Sequence, residues 1–344
     1  MDRLTRSGHI LKIFFVLGLI AYFVSFNMQK PRILILHSYN TDYSWVRTVN
    51  QGINGVLGNR TDFAVHWQYM NTKNHPSIEY KQKMGVLIRR LISHLEPEVI
   101  IAVDDDAQNY VAKFYIDNPN IKIIFSGVNA TLQDYGYEDT KNVTGVLERV
   151  PLDACKDVIP YLVDPKIKES DIRIINLGDK SDTVMLDAKS ILEFDWAPLN
   201  LIDSVFVDNF DDWKSAVLNA ATRADCLFIT NYRQLTRTDG AHTFVPPGEV
   251  MRWTMENTKI PVLGGNIFVV EDGGNLALAA SPAEQGRVAA EMALKILAGT
   301  PTTKIPVAQT NDYLVAMRDS DLKYLSRLPK VYRAFARGLG MLYH

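Results

Sequence analysis

Three consecutive carboxylates, Asp104, Asp105 and Asp106, directly follow the apolar run Val99–Val103 (VIIAV). Carboxylates at the end of a β-strand can hold a ligand ammonium or guanidinium through charge-assisted hydrogen bonds. The same residues can cap a helix and fill its first turn, where negative charge stabilises the positive end of the dipole. The expectation is that one of the three meets ligand and the other two serve the helix. Adjacent carboxylates on a turn point in different directions, which disfavours a shared divalent metal. His37-Ser-Tyr-Asn-Thr-Asp-Tyr-Ser-Trp45 follows an earlier apolar run with hydroxyls and aromatic faces, and Ser126-Gly-Val-Asn129 follows a later one. Gly178-Asp-Lys-Ser-Asp182, Asn231-Tyr-Arg-Gln234 and Gly264-Gly-Asn266 stand at comparable ends further along. Tyr39, Tyr43 and Trp45 can stack on a ligand or pack one part of the protein on another. Asn129 and Asn231 can bind or simply serve turns.

Motifs for enzymes are absent from this inventory. There is no G-x-x-x-x-G-K-[ST] loop, no G-x-G-x-x-G after the first strand and no G-x-S-x-G elbow. His37, His66, His75, His94 and His242 lack zinc-ligand spacing, and no C-x-x-C occurs. The balance moves toward binding, with no catalytic residue, metal or cofactor expected. A formal net charge of −2 gives no basic field for nucleic acid.

The elements that must position these residues alternate between β-rich runs and amphipathic stretches. Arg32–Leu36, Phe63–Tyr69, Val99–Val103 and Ile121–Phe125 read as strands, with helices over Trp45–Leu57, Ile78–Leu95 and Ala107–Tyr115. After Pro151 the alternation restarts. Ile172–Leu177, Ser204–Val207, Cys226–Thr230 and Pro261–Leu263 are strands, separated by helices over Asp182–Phe194, Phe210–Arg223 and Gly248–Asn257. Leu276–Ala280, a helix from Pro282 to Ala298 stopped by Gly299, and Ile305–Val307 follow. Strands apolar throughout and separated by helices predict parallel sheets covered on both faces. The fold class is therefore α/β, with two doubly wound parallel-sheet lobes in 344 residues. Ligands of such sheets bind outside the carboxyl ends of the strands, where the polar and aromatic residues stand.

Arg3, Arg6 and Lys12 precede an apolar run that, with Ile10 and Leu11, spans residues 10–26. This layout predicts an uncleaved signal anchor in the cytoplasmic membrane or a cleaved signal peptide over residues 1–30. Either way, everything after Pro31 is expected in the periplasm or another extracytoplasmic space. Cys155 and Cys226 are the only cysteines, open to a disulfide or to two buried thiols. The tail from Ser326 carries Arg327, Lys330, Arg333 and Arg337 among aromatics. It reads as a packed or frayed terminus, or as an amphipathic helix on the first lobe or the membrane surface.

Several segments together resemble a known family. They are Ile33-Leu-Ile-Leu-His-Ser-Tyr39 with Trp45, Tyr69-Met-Asn-Thr-Lys73 and Asp104-Asp-Asp-Ala107. Ile124-Phe-Ser-Gly-Val-Asn129, Asn142-Val-Thr-Gly-Val146 and Ala280-Ser-Pro-Ala-Glu-Gln-Gly286 complete the pattern. The chain resembles type I periplasmic binding proteins, and within them the ABC-transporter substrate-binding group with tryptophan- and tyrosine-type members. Related domains serve as extracytoplasmic sensors. The resemblance implies a first lobe of residues 31–146 plus about 281–304 and a second of 147–280 plus about 305–318, leaving 319–344 as a tail. Three hinge strands would join the lobes. Ligand would sit between them at Ser38, Asp105, Ser126, Asn129, Gly178, Asn231 and Asn266, with Tyr39, Trp45, Asp104 and Tyr232 beside it. The function so implied is binding of a small organic ligand, amino-acid-like or amine-like, for delivery to an ABC permease. A sensor working with a separate membrane kinase or cyclase is the alternative, and an enzyme of the same architecture a third.

Overall fold

A computed structural model describes residues 12–13, 15–23, 25, 27, 29–238, 243–310, 312–319 and 323–344. Among these, the strands form two sheets. The first runs in the order β11 (Ala308–Gln309), β5 (Val143–Leu147), β4 (Lys122–Val128), β3 (Val99–Val103), β1 (Arg32–His37), β2 (Ala64–Tyr69), and every pairing is parallel. The second runs β13 (Leu342–Tyr343), β12 (Tyr313–Arg318), β10 (Leu276–Ala280), β9 (Val262–Gly264), β8 (Cys226–Ile229), β6 (Arg173–Asp179), β7 (Asn200–Val207). In it β10 and β12 are antiparallel and the other pairs parallel.

Alternate residues of each strand feed different cores, as the two-residue period of a strand requires. Ile33, Ile35, Val99 and Ile101 pack with the helices Ser44–Leu57 and Pro282–Leu297. Leu34, Leu36, Ile100 and Ala102 pack on the other face with the helix Ile78–Leu95. The second sheet is covered in the same way, by Leu152–Leu162 on one face and by Phe210–Arg223 with Pro247–Asn257 on the other. This two-sided burial is why the strands read as continuous apolar runs.

The chain crosses between lobes after β5, after β10 and between β11 and β12. After β10 it enters the helix Pro282–Leu297, which packs back on the first sheet with Ser281 as its N-cap, accepting from the Glu284 amide at 3.2 Å. Gly52 and Gly286 let this helix touch Ser44–Leu57. A Cβ on either would come within 2.1 Å of a carbonyl oxygen of the other helix.

Some expected elements differ. The helix expected over Ala107–Tyr115 is a short α-helix, Asp105–Tyr110, followed by a 3-10 turn, Ala112–Tyr115. Ile305–Val307 is no strand; within 305–318 the strands are Ala308–Gln309, which pairs with β5 of the first sheet, and Tyr313–Arg318, which pairs with β10 of the second. The C-terminal segment packs on the second lobe and leaves Val331, Phe335 and Leu339 exposed. Leu325, Leu328 and Ala336 join a core of the second lobe, and β13 extends its sheet. Cys155 and Cys226 are free and buried, and burial pushes the Cys226 thiol up to about 12.

Residues 10, 11, 14, 24 and 26 of the expected anchor lie outside the described residues. Its described residues are helical, with Ile13, Phe15, Leu17 and Ile20 exposed. No helix of the described residues is long and apolar enough to cross a membrane.

Candidate functional site

The carboxyl ends of the two sheets face each other across a cavity of about 430 Å³, its open mouth included. From the first lobe it is lined by Tyr39, Tyr43 and Trp45 beyond β1, Lys73 beyond β2, Asp104 beyond β3, Asn129 beyond β4 and Glu148 beyond β5. From the second come Val184 and Asp187 of the helix Asp182–Glu193, Thr230 and Asn231 beyond β8, and Asn266 and Phe268 beyond β9.

The three aspartates divide their work. Asp104 turns the chain at φ 66°, ψ 168° and makes no side-chain cap. Its carboxylate lines the cavity, where its Oδ2 is buried without a hydrogen-bond partner. Asp105 Oδ1 accepts from the amides of Asn129 (3.2 Å) and Ala130 (3.4 Å) and from the Tyr135 hydroxyl, which fixes the loop after β4. Asp106 pairs with Lys81 at 3.1 Å, and Lys81 also reaches Asp182 of the second lobe at 2.8 Å. Asp105 and Asp106 stand in the first turn of the short helix Asp105–Tyr110, while the side-chain contact to its amides comes from Ser38, whose Oγ accepts from the Ala107 amide at 2.8 Å while donating to Val103 O.

Other residues expected at the ligand also stand behind the cavity wall. Ser126 is fully buried and donates to the Gln285 carbonyl at 3.1 Å. Tyr232 is buried too, its hydroxyl donating to Asp272 at 2.7 Å. Gly178 gives Thr230 and Val184 room, since a Cβ there would lie 2.7 Å from Thr230 Oγ1 and 2.9 Å from Val184. Tyr39, Trp45, Asp104, Asn129, Asn231 and Asn266 do line the cavity.

Local geometry fixes the wall. Gly127, at φ +63°, lies under Trp45 and Glu148; a Cβ there would be strained and would meet Trp45 Nε1 at 3.6 Å and Glu148 Oε2 at 3.8 Å. Asn129 Nδ2 donates to both oxygens of Asp187, at 2.9 and 3.0 Å, and so bridges the lobes. Asn231 Oδ1 accepts from the amides of Tyr232 and Arg233, and Asn266 Nδ2 donates to Thr230 O at 3.0 Å. The Lys73 ammonium sits 4.9 Å from the centre of the Tyr39 ring and 5.6 Å from that of Tyr43. Arg233 stacks over Tyr43 and Phe268 but spends its charge on Asp272, at 2.9 Å.

Burial dominates the site's electrostatics. It raises Asp104 well above the usual carboxylate range, with Asp105 adding and Lys73 opposing. It raises Glu148 likewise, reinforced by Asp187, Asp104 and Asp105 and opposed by Arg149. Asp187 is pushed up to about 7, the Asn129 hydrogen bond working the other way. Lys73 is lowered by burial, against the pull of Asp179 and Asp104. Three carboxylates thus compete for ionisation in one small space. Three of the lining residues also keep a buried polar atom without a hydrogen-bond partner: Asp104 Oδ2, Trp45 Nε1 and Thr230 Oγ1.

Sequence reasoning did not bring Glu148, Asp187, Thr230 and Phe268 to the site. Glu148 directly follows β5, so the strand-end rule reaches it once β5 is recognised as a strand. Thr230 reads as the last residue of an apolar run. Asp187 lies inside a helix and carries no local signal.

Comparison with known proteins agrees with this architecture. Residues 48–325 match the family described as ABC transporter substrate binding protein. No curated protein matches the chain. Among solved structures, a conserved domain protein from Vibrio cholerae superimposes with a TM-score of 0.65 at 15% identity, over 89% of this chain and 98% of that one. A ligand-free, open substrate binding protein with adhesive properties from Clostridium difficile gives 0.60 at 17% identity, over 87% and 96%. The ABC domain in complex with L-Trp from Streptococcus pneumonia gives 0.60 at 13% identity, over 91% and 95%. At such identities the structures establish the fold, and the family match covers most of the sequence: the chain belongs to the ABC transporter substrate-binding protein family.

Proposed function

We propose that the protein is an extracytoplasmic receptor that closes its two lobes on a small amino-acid-like or amine-like ligand and delivers it to an ABC permease. The observation that carries this reading is the cavity itself. Aromatic faces, an excess of carboxylates and unpartnered polar atoms from both lobes converge on one space between the sheets. A ligand touching both lobes favours the closed form by its differential affinity for it. The family match supports a membrane permease as partner. The L-Trp bound by the pneumococcal relative supports an amino-acid-like solute. The receptor acts by binding and release, with no turnover.

The test is thermal unfolding of the purified protein against amino acids, amines, nucleosides, sugars and carboxylates. A ligand at a hundred times its dissociation constant adds about 2.7 kcal/mol, a shift of several degrees. A shift confined to amines or amino acids, with the compound recovered unchanged, is the expected result. A compound consumed during incubation would point to an enzyme instead.

A further inference from the structure

Among the described residues that line the cavity, one side chain is basic, and it has no anion of its own. Lys73 stands on the loop after β2, which is pinned where the Thr72 amide and the Thr72 hydroxyl both donate to Ser38 O at 2.9 Å. Its ammonium lies 4.9 Å from the centre of the Tyr39 ring and 5.6 Å from that of Tyr43. Aromatic faces attract a cation but offer it no oxygen. Among the described residues Lys73 makes neither a hydrogen bond nor an ion pair. Its Nζ is nevertheless not one of the sealed, unpartnered polar atoms, so it opens on free space. Lys73 and both rings line the cavity, and the cavity is that space.

The other cations nearby are committed. Arg149 Nη1 donates to the carbonyls of Val128 (3.1 Å), Asn129 (3.0 Å) and Glu148 (2.5 Å). Arg233 is held by Asp272, and Lys81 by Asp106 and Asp182. Burial lowers Lys73, while Asp179 and Asp104 support its charge from beyond ion-pair distance. An ammonium carries three donors, and leaving them without an acceptor in a closed site is costly. No described residue supplies that acceptor, so the bound molecule has to. A carboxylate suits the place best, because hydrogen bonds between ionised partners are roughly twice as strong as neutral ones. A ligand that was an anion alone would face Asp104, Glu148 and Asp187 on the same wall. Its carboxylate therefore comes with a cationic nitrogen.

We infer that Lys73 binds the carboxylate of the ligand and thereby selects a free amino acid over the corresponding amine. This inference rests on the solute-receptor reading and narrows it. Tyr39 and Tyr43 hold the ammonium in place before the ligand arrives, which reduces the ordering that binding has to supply.

Calorimetric titration of the full-length protein with tryptophan, tyrosine, leucine and lysine, each beside its decarboxylated amine, tests it. The amino acid that binds most tightly is expected to exceed its amine at least tenfold, as a charged hydrogen bond warrants. Lys73→Met is expected to bring that amino acid down to the level of its amine and to leave the amine unchanged. Should that variant fail to fold, Lys73→Gln takes its place, and the comparison of amino acid with amine on the unaltered protein decides in either case. An amine that binds as tightly as its amino acid would overturn the inference and leave an amine receptor standing. A preference for the amino acid that survives in Lys73→Met would overturn it too, since another group would then hold the carboxylate. Silence from every one of these compounds would remove the amino-acid and amine reading, and this inference with it.

Discussion

The two lobes bring different chemistry to one cavity. The first contributes Lys73, Asp104 and Glu148 with the rings of Tyr39, Tyr43 and Trp45, and it leaves Asp104 Oδ2 and Trp45 Nε1 unpaired. The second contributes mainly neutral groups, Thr230, Asn231, Asn266 and Phe268, with Asp187 as its one lining charge among the described residues. Its amides are already anchored to main chain, Asn231 through the Tyr232 and Arg233 amides and Asn266 through Thr230 O. The contrast assigns the lobes unequal parts. Under the proposed receptor function, the first is the lobe to supply charge recognition if the ligand carries a cation, and the second the one whose pre-set dipoles complete the contact on closure.

The largest effect should follow from removing charge on the first lobe. Asp104→Asn keeps the shape and deletes the anion. Hydrogen bonds to charged groups contribute about 1.5–3 kcal/mol, so affinity for a cationic ligand should fall roughly 10–150-fold. The unliganded variant should melt higher at neutral pH, since a buried carboxylate raised by its surroundings is removed. Titration and melting curves measured side by side check both halves. Unchanged affinity would reverse the proposed division between the lobes.

A pH series probes the one charge of the second lobe. Asp187 faces Asn129, Asp105, Glu148 and Arg149, and burial pushes it up to about 7. A carboxyl raised above its unfolded value of about 3.9 adds stability that is complete below that value and lost as pH rises through about 7. The unliganded protein should therefore melt progressively lower across that window, and Asp187→Asn should flatten the trend. Cation binding favours the ionised form, so affinity should rise roughly tenfold between about pH 6 and 8, with protons released. A flat affinity in that range would show that Asp187 does not meet the bound cation.

How much of this was legible in the sequence follows from where each residue stands. The lobes were readable because strands buried on both faces are apolar at every position, as in Ile33–Leu36 and Val99–Val103. The site was readable where a side chain directly follows such a run, as Asp104 and Asn231 do. It was not readable where tertiary contacts decide. Ser38 and Ser126 look like ligand hydroxyls, but they brace the Ala107 amide and the helix carrying Gln285. Asp187 reaches the cavity only because the second lobe turns one helix toward Asn129. Ala308–Gln309 is too short for a periodic pattern and is a strand only because β5 offers it an edge.

A smaller effect should come from the neutral side. Thr230→Val keeps the volume and removes a buried hydroxyl without a partner. Deleting an unsatisfied polar group should stabilise the unliganded protein by about 1 kcal/mol. If ligand takes that hydroxyl on closure, affinity falls by only about fivefold, the middle of a neutral hydrogen bond's contribution. A loss as large as that of Asp104→Asn would erase the difference between the lobes.

The smallest expected effect lies outside the cavity, where Lys81 joins Asp106 of its own lobe to Asp182 of the other. The lysine is buried, but the Asp182 side chain is 80% exposed, so this inter-lobe pair is largely screened. Asp182→Asn should cost the closed form at most about 1 kcal/mol. An open–closed equilibrium lowers apparent affinity by the fraction of competent molecules, so every ligand should lose the same two- to threefold. That uniformity separates a latch from a recognition residue, since Asp104→Asn should weaken cationic ligands selectively. Small-angle scattering of the unliganded variant should show a more open average shape with an unchanged melting temperature. A ligand-dependent loss would instead mean that Asp182 contacts the bound molecule, and the second lobe would then share in charge recognition.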